Sequence, residues 1–383
     1  MIQFVNAIDA DRLRMAYNND IIRFYNNSTA PAVWAEVALR TAGAQEDLFN
    51  VRLYPNPQGR FFVNLKPYIT SIINTRNFED KLETNLRRQA FSSFLYSFSL
   101  GTYLNKILHF TVMHADGTYA DAAYSLSWLA GVEQPDDYTR LAANQAIVLS
   151  PFRRDTANHH YLKYWQGYPF DMAFYTGSIN FITLHNETNG LGQQLSGLSV
   201  VNRLFFSDGR TDETLESFLP LVEGFNKLRL GTGALQKDIV LEKIPYKCGV
   251  YLKWLNRYGG YSYWLFEDTY SIDRNIKQLG ELERDNENVE TTFGRTIQIG
   301  KESQDTMKII AELLTEDERR IVEGIIDSPK IYLFTGKPLS RNSANDWVEV
   351  VLKTSGTRIK NPKQPLTNFT FDIELPLRYT QTL

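Results

Sequence analysis

The sequence has little cysteine and little net charge. Its single cysteine, Cys248, excludes an intramolecular disulfide framework and a cysteine-cluster metal site. Because this thiol stands near the apolar residues Val250 and Leu252, we expect it to be buried and inert. A formal net charge of −3 and a pI near 6.0 provide no overall basic field, so we expect no sequence-specific binding of nucleic acid.

Long apolar runs are also missing. No stretch approaches the ~18 consecutive apolar residues of a membrane-spanning helix, so we expect no membrane partner. The segment Met1-Ile2-Gln3-Phe4 has neither the basic leader nor the apolar core of a signal peptide. We therefore expect the chain to be made and folded in a cytosol, which still permits later release by lysis.

The common motifs of catalytic and metal sites are absent from the sequence. The five histidines form no H-E-x-x-H, and neither a P-loop nor a G-x-S-x-G elbow occurs. Gly231-Thr232-Gly233 begins like a dinucleotide fingerprint, but Gln236 stands where the third glycine belongs. We predict no enzyme activity, no cofactor and no metal. The enzymatic alternative is a glycan-processing enzyme, which needs two carboxylates facing each other across a cleft.

Aromatic residues are abundant, at 13% of the chain. They suit pleated strands, and Tyr and Trp also favour the centres of protein interfaces. Apolar residues alternate with a period of two in many short segments, such as 33–39, 61–65 and 250–254, and turn residues separate these segments. The pattern predicts a mostly β fold of two or three antiparallel sandwich-like or barrel-like domains, with a short helical pair inserted near the C-terminus.

The chain of 383 residues is too long for one ordinary core, so two or three domains are expected. We predict an N-terminal β domain over 1–100, a middle β domain over 101–245, and a C-terminal β domain over 246–383 with helices near 303–327. In that helical region Met307, Ile310 and Leu314 fall at helical spacing. Thr315-Glu316-Asp317-Glu318 fits a capping box, so two short helices broken at Thr315 are predicted.

The densest aromatic cluster lies in a predicted β-hairpin over 250–266, whose turn is Asn256-Arg257-Tyr258-Gly259-Gly260. The terminal strand adds two aromatic residues on one face. We interpret this set as the anchors of a protein interface, with stacking on sugar rings as the alternative. The set comprises Trp254, Tyr258, Tyr261, Tyr263, Trp264, Phe369 and Phe371.

The run from Lys247 to Phe266, with W-L-N-R-x-G at 254–259, resembles a hairpin found in virion proteins of tailed bacteriophages, especially those infecting Bacteroidota. In that family a helical stretch, a Ser-Pro-x-x-Tyr-Leu strand and a terminal strand follow. In this chain, 328–333 resembles the Ser-Pro-x-x-Tyr-Leu strand and Phe369–Pro376 resembles the terminal strand. The early segment Pro55–Leu65 also resembles the family. The region 101–245 has no counterpart in it.

The resemblance implies a non-enzymatic distal-tail or baseplate-like protein that forms a ring of identical subunits with threefold or sixfold symmetry. Its partners are then other copies of itself and other tail or head–tail connector proteins, and its location is the virion, assembled in the host cytoplasm. No catalytic residues carry over. The alternative function is a carbohydrate-binding adhesin or receptor-binding module that contacts a host surface glycan.

Overall fold

A computed structural model shows a mostly β protein, with 53% of its residues in strands and 8% in helices, which confirms the predicted fold class. The structure describes residues 1–43, 46–86, 90–135, 140–152, 158–210, 212–232, 236–267, 270–283, 296–336, 346–354, 356, 358–359 and 366–382.

The chain divides into two units. The N-terminal unit comprises Met1–Pro245 and Leu255–Tyr261, and the C-terminal unit comprises Tyr246–Trp254 and Ser262–Leu383. A hairpin therefore has its tip in one unit and its stem in the other.

The described residues of the N-terminal unit form seventeen strands, one α-helix and two 3-10 turns. They are β1 (Ile2–Phe4), β2 (Leu13–Met15), β3 (Ile21–Asn26), β4 (Ala32–Arg40), β5 (Asp47–Leu53), β6 (Arg60–Asn64), α1 (Lys66–Ile73), a 3-10 turn (Phe91–Phe94), β7 (Leu95–Ser97), β8 (Tyr103–His114), β9 (Tyr119–Leu129), β10 (Ile147–Val148), β11 (His159–Trp165), β12 (Phe170–Tyr175), β13 (Phe181–Asn186), β14 (Leu191–Ser196), β15 (Val201–Ser207), a 3-10 turn (Leu215–Ser217), β16 (Gly224–Leu230) and β17 (Lys237–Ile244).

These strands form four sheets in two groups. The first group is a three-stranded sheet, β1-β3-β6, and a five-stranded sheet, β2-β9-β8-β4-β5. Their shared core holds Phe24, Phe61 and Phe110, whose rings lie 5.1–5.3 Å apart around Phe24. Ile69 and Ile73 of α1 pack into the same core, because the two residues are one helical turn apart.

The second group is a four-stranded sheet, β10-β12-β15-β7, and a five-stranded sheet, β11-β17-β16-β13-β14. Phe170 of β12 lies 5.4 Å from Tyr164 of β11 and 5.4 Å from Phe206 of β15. Most pairs are antiparallel, but β2–β9 and β11–β17 run parallel, so the sheets are mixed.

The C-terminal unit is built on one seven-stranded sheet with the order β19-β18-β22-β23-β24-β21-β20. Its elements are β18 (Gly249–Leu255), β19 (Tyr261–Glu267), β20 (Tyr270–Glu283), β21 (Thr296–Leu314), α2 (Glu316–Val322), a 3-10 turn (Glu323–Ile325), β22 (Ile331–Phe334), β23 (Trp347–Leu352) and β24 (Thr367–Glu374). The first two of these strands are the predicted hairpin over 250–266, which is confirmed.

The predicted helical pair is right in its second half and wrong in its first. The capping box is confirmed, since the Thr315 hydroxyl accepts from the Glu318 amide and the Glu318 carboxylate accepts from the Thr315 amide. Before Thr315, however, the chain is strand β21. Met307, Ile309 and Ala311 are buried at alternate positions, and pairing with β20 and β24 on both sides favours the strand.

The structure also bears on the predicted boundaries and on the cysteine. The predicted boundary at 100–101 lies in a turn, and β4 before it pairs with β8 after it from Ala32↔His114 to Arg40↔Ile107. Position 245 is where the chain first leaves the N-terminal unit, although the hairpin tip returns to it.

The prediction of a buried Cys248 is wrong: the thiol is exposed, because it lies just before β18 begins. No helix in the described part of the chain has the length and apolar character needed to cross a membrane.

Candidate functional site

The seven aromatic residues predicted as interface anchors all lie inside the folded chain. Their exposed fractions run from 0% to 5%. The residues are Trp254, Tyr258, Tyr261, Tyr263, Trp264, Phe369 and Phe371. Each therefore has a role in folding, and side chains so deeply buried have little surface left for a partner. A single chain does not test whether they also serve an interface, so that role stays a prediction.

The hairpin tip is held in the N-terminal unit. Asn256 donates its side-chain amide to the Leu149 carbonyl at 2.9 Å, and the ring of Tyr258 lies 4.5 Å from that of Phe152. A Cβ at Gly260 would lie 2.3 Å from the Leu149 carbonyl oxygen. The turn glycine is thus required by a close backbone approach, and the aromatic density of the hairpin is explained by packing.

The hairpin stem and the terminal strand are packed in the C-terminal unit. Tyr251 stacks on Tyr263 with 6.0 Å between ring centroids, and the buried ammonium group of Lys253 lies 4.3 Å from the Trp347 ring. Phe369 and Phe371 stack 5.7 Å apart. A cation over an aromatic face is attracted by the ring quadrupole, so Lys253 is accommodated electrostatically in this cluster.

A buried ion cluster lies in the N-terminal unit, and sequence reasoning missed it. Arg203 donates to Asp171 at 2.6 Å and to Asp80 at 2.9 Å, and the three side chains are 0–3% exposed. The rings of Tyr261 and Phe98 face the guanidinium at 4.7 and 5.1 Å. The available signal was a single charged residue within each of two otherwise uncharged strands, β12 and β15. The cluster ties the irregular segment around Asp80 to these strands, which is a structural role.

Groups that could perform catalysis are sparse in the described residues. The Ser150 hydroxyl lies 2.9 Å from Nδ1 of His160, but the residues are only 4% and 0% exposed. A nucleophile so deeply buried cannot meet a substrate in this conformation. Across the described ranges, no group of three or more His, Cys, Asp or Glu residues is arranged to hold a metal ion.

The most distinctive surface element is the outer part of hairpin β20–β21. The last pair between β21 and β24 is Thr306↔Glu374, so beyond it β21 has a named strand on one side only. We call Arg274–Glu283 of β20 and Thr296–Asp305 of β21 the arm. At ~3.3 Å per residue, its ten residues on each strand extend for about 30 Å.

The base of the arm is fixed by charge. Asp305 accepts from Arg274 at 2.7 and 3.2 Å and from Arg378 at 3.0 Å. The hydrogen bond from Arg274 is the main cause that lowers the pKa of Asp305, and Asp305 in turn raises the pKa of Arg274. The segment after β24 follows β21 through Leu375, whose amide donates to the Asp305 carbonyl, and through a bridge between Gly300 and Thr382.

The arm and the rest of β20 expose many apolar side chains. From Tyr270 to Leu282 every residue except Gly280 is exposed. Apolar residues on β20 keep between 42% and 61% of their surface in solvent, namely Tyr270, Ile272, Ile276, Leu279 and Leu282. Among the described residues, no strand pairs with the outer edge of β20. Exposed apolar surface next to unpaired strand backbone is typical of a site where another protein chain binds.

Sequence reasoning missed the arm. The acidic composition of segment 281–290 predicts a surface loop, yet Glu281 to Glu283 end β20, and 284–290 lie outside the described residues. Tyr270, Ile272 and Ile276 lie at even positions, and this period of two was the signal that could have revealed the strand.

A second exposed feature is an aromatic row on the outer face of sheet β2-β9-β8-β4-β5. Tyr119 of β9 is opposite Met113 of β8, which is opposite Trp34 of β4. The Arg52 guanidinium stacks 4.4 Å from the Trp34 ring centroid. Tyr119 is 67% exposed. A flat apolar surface with polar edges of this kind can stack on a sugar ring.

Comparisons with known proteins identify no family. No family model matches the chain, and no curated protein matches it. Among solved structures, a tetra-tandem repeat from the extending region of a large adhesion protein is similar with a TM-score of 0.23 and 8% identity, over 81% of this chain and 69% of that one. Dimeric latent PorU from Porphyromonas gingivalis is similar with a TM-score of 0.19 and 9% identity, over 80% of this chain and 32% of that one. At TM-scores this low, neither likeness supports a functional argument.

Proposed function

We propose that this protein is a non-enzymatic structural subunit of a tailed-phage particle, located in the tail, baseplate or head–tail region, where it assembles with copies of itself and with neighbouring virion proteins. The arm is the observation that carries the proposal. A ribbon with exposed Ile276 and Leu282 gains little stability from its own chain, because two strands alone are marginal in water. Docking on another protein covers this apolar surface.

The resemblance of the 247–266 hairpin, the 328–333 strand and the terminal strand to phage virion proteins supports the choice of particle. A ring of identical subunits uses one patch of each copy against a different patch of the next. In this proposal the ring contact lies outside the buried aromatic cluster, since those side chains serve the cores of the two units.

The test is the native mass of the purified chain over a range of concentrations, with negative-stain images of the same fractions. A discrete closed particle whose mass is a whole multiple of 44.1 kDa is the expected result. A strict monomer at every concentration, with no closed particles in the images, contradicts self-assembly into a ring.

A carbohydrate-binding adhesin is the second candidate, and the outer aromatic row favours it. Tyr119 offers an exposed ring for stacking on a sugar and Trp34 a half-buried one, whereas the hairpin aromatics are buried. A glycan array with the wild-type chain and the double variant Trp34→Ala/Tyr119→Ala tests this function. Binding that the double variant loses supports the adhesin. Tyr379→Ala is the matched control, because Tyr379 is fully exposed elsewhere.

A further inference from the structure

Among the residues that the structure describes, the seven-stranded sheet has one exposed edge. Its order ends in β19 on one side and β20 on the other. Tyr261 to Phe266 of β19 are buried, whereas β20 is exposed along its length. Head-to-tail extension of this sheet from copy to copy needs two free edges. If two copies extend it, they must therefore use β20 twice, and a two-fold axis must relate them.

Only the part of the β20 edge with regular geometry, Tyr270 to Gln278, suits such pairing, and we call it the flat segment; it allows few registers. Pairing with β21 is regular from Tyr270 to Gln278, and register shifts follow around Gly280. Directly opposed residues of antiparallel strands point to the same face of the sheet. The two-fold axis must therefore pass beside a residue rather than between two residues. Near the centre of the flat segment this leaves Arg274, Asn275 and Ile276.

Charge distinguishes these three registers. Centring on Arg274 places two arginines opposite each other. Centring on Ile276 creates no pair of opposite charges. Centring on Asn275 places Asp273 opposite Lys277, and the symmetry makes that pair twice, with no like charges opposed.

The apolar face is also covered in the Asn275 register, and the charges decide against the Arg274 register, which brings Ile272 directly opposite Ile276. Tyr270 and Ile272 oppose the buried Ile309 and Met307 of β21, so the even-numbered residues of β20 share the core-facing side of the sheet. In the Asn275 register, Ile272 is the diagonal neighbour of Ile276 in the second copy. The two symmetric contacts cover side chains that are 44% and 61% exposed in one copy.

We propose that two copies of this chain join through their β20 edges, antiparallel and centred on Asn275, so that two seven-stranded sheets become one continuous sheet. This inference deepens the proposed self-assembly, on which it rests: it assigns a second copy of the chain as the protein that covers the arm, whereas closing a ring needs a further head-to-tail contact on another surface. The bulge at Gly280 ends the paired segment, because a shifted register breaks the ladder of hydrogen bonds.

Cysteine cross-linking tests the register. The background variant is Cys248→Ser, so that the introduced cysteine is the only thiol. Asn275→Cys then places the two cysteines of the dimer opposite each other at the two-fold axis, where their Cα atoms lie within the ~4.4–6.8 Å separation that a disulfide requires. We expect a disulfide-linked dimer on a non-reducing gel under a glutathione redox buffer. Ile276→Cys and Gln278→Cys are the controls, since each is displaced along the strand from its copy. Cross-linking at Ile276→Cys rather than Asn275→Cys overturns the register, and its absence from all three variants overturns the pairing.

Charge reversal gives an independent test that includes its own rescue. Asp273→Lys alone opposes lysine to lysine twice, and Lys277→Asp alone opposes aspartate to aspartate twice. We expect each variant to raise the dimer dissociation constant about tenfold or more. A mixture of the two variants restores opposite charges at both positions, so it should form a heterodimer. Circular dichroism checks folding, because Lys277 also faces Glu302 in its own arm.

The masses separate this inference from the proposed function. If the variant Asp273→Lys forms a ring of the same mass as the wild-type chain, the proposed ring stands and the pairing of two copies through β20 is overturned. A species that never exceeds a dimer, and that Asp273→Lys reduces to a monomer, supports the arm pairing and overturns the ring. Particles whose mass halves in Asp273→Lys support both. Homodimers that persist unchanged in both single variants overturn the Asp273–Lys277 pairing.

Discussion

Two hairpins follow one another in the chain, β18–β19 and β20–β21, and they differ in burial: the first lies inside the fold and the second is exposed to solvent. The first is buried on both faces: Trp254 is 0% exposed and Tyr263 is 5% exposed. The second exposes Ile276 and Leu282 to solvent over half of their surface. The sequence suggests the reverse, because the aromatic hairpin has the composition of an interface. The comparison shows that aromatic density marks how much surface must be covered, not whether a partner covers it.

The largest expected effect comes from emptying the buried hairpin. Trp254→Ala removes a fully buried indole, and we expect the free energy of unfolding to fall by about 3–5 kcal/mol. Ile276→Ala in the arm is the matched control and should change it by less than ~0.5 kcal/mol for the monomer. Urea titration followed by tryptophan fluorescence and circular dichroism measures both. Equal losses for the two variants would remove the distinction between the hairpins.

The ion cluster beneath the hairpin tip gives the next effect. Arg203→Met leaves Asp171 and Asp80 without their shared cation in a buried place, and we expect a loss of about 3 kcal/mol in unfolding free energy. Arg140→Met is the control, because its ion pair with Asp9 is largely exposed and contributes little. The same urea titration decides, and a loss no larger than that of the control contradicts a structural role for the cluster.

The tip glycine gives a smaller effect. Gly260→Ala brings a Cβ against the Leu149 carbonyl oxygen, and the backbone must shift to relieve the overlap. We expect a loss of about 2 kcal/mol in unfolding free energy. Gly356→Ala is the control, since no atom lies within 4 Å of a Cβ there. Thermal melts of the two variants should separate clearly; coincident melts argue against close packing of the tip.

The smallest effect is local to the arm. Asp305→Asn removes the carboxylate that holds Arg274 and Arg378, so amides of the arm should exchange hydrogen faster while those of β18–β19 stay protected. Hydrogen-exchange mass spectrometry measures this difference. If amide protection in the arm is the same in Asp305→Asn as in the wild-type chain, the ion pairs of Asp305 with Arg274 and Arg378 do not hold the arm.

Acid should imitate that substitution in the wild-type chain. The hydrogen bond from Arg274 holds the pKa of Asp305 below its ordinary value of 3.8 in the folded chain, so this ion pair is fully formed above that pH. Its contribution is lost as the pH falls through the lower, folded pKa, because the open arm binds the proton more tightly. The Asn variant should lack this dependence, which identifies the titrating group.

Sequence reasoning succeeded where the signal was local. The 250–266 hairpin is encoded by alternation and by turn glycines, and the capping box at Thr315 needs only four residues. It failed where distant parts of the chain decide. Met307 fits both a helical and a strand period, and only pairing of β21 with two neighbours resolves the choice.

The ion cluster and the arm escaped prediction for the same reason. Asp80 and Arg203 are 123 residues apart, and no spacing rule connects them. Ile276 looks the same in sequence whether a core covers it or solvent does, because exposure depends on which strands lie beside β20. Cys248 shows the converse: apolar neighbours along the chain did not bury it.

The division of the hairpin between the two units has a consequence for the order of synthesis. Residues 1–245 leave the ribosome before Leu255–Tyr261, although both segments belong to the N-terminal unit. The sites that receive the tip, at the Leu149 carbonyl and the Arg203 guanidinium, stay unfilled until the following strand has been made. The N-terminal unit therefore becomes complete only after synthesis of the C-terminal unit has begun. A single cut in the chain cannot yield both units intact, because each is made of two separate segments.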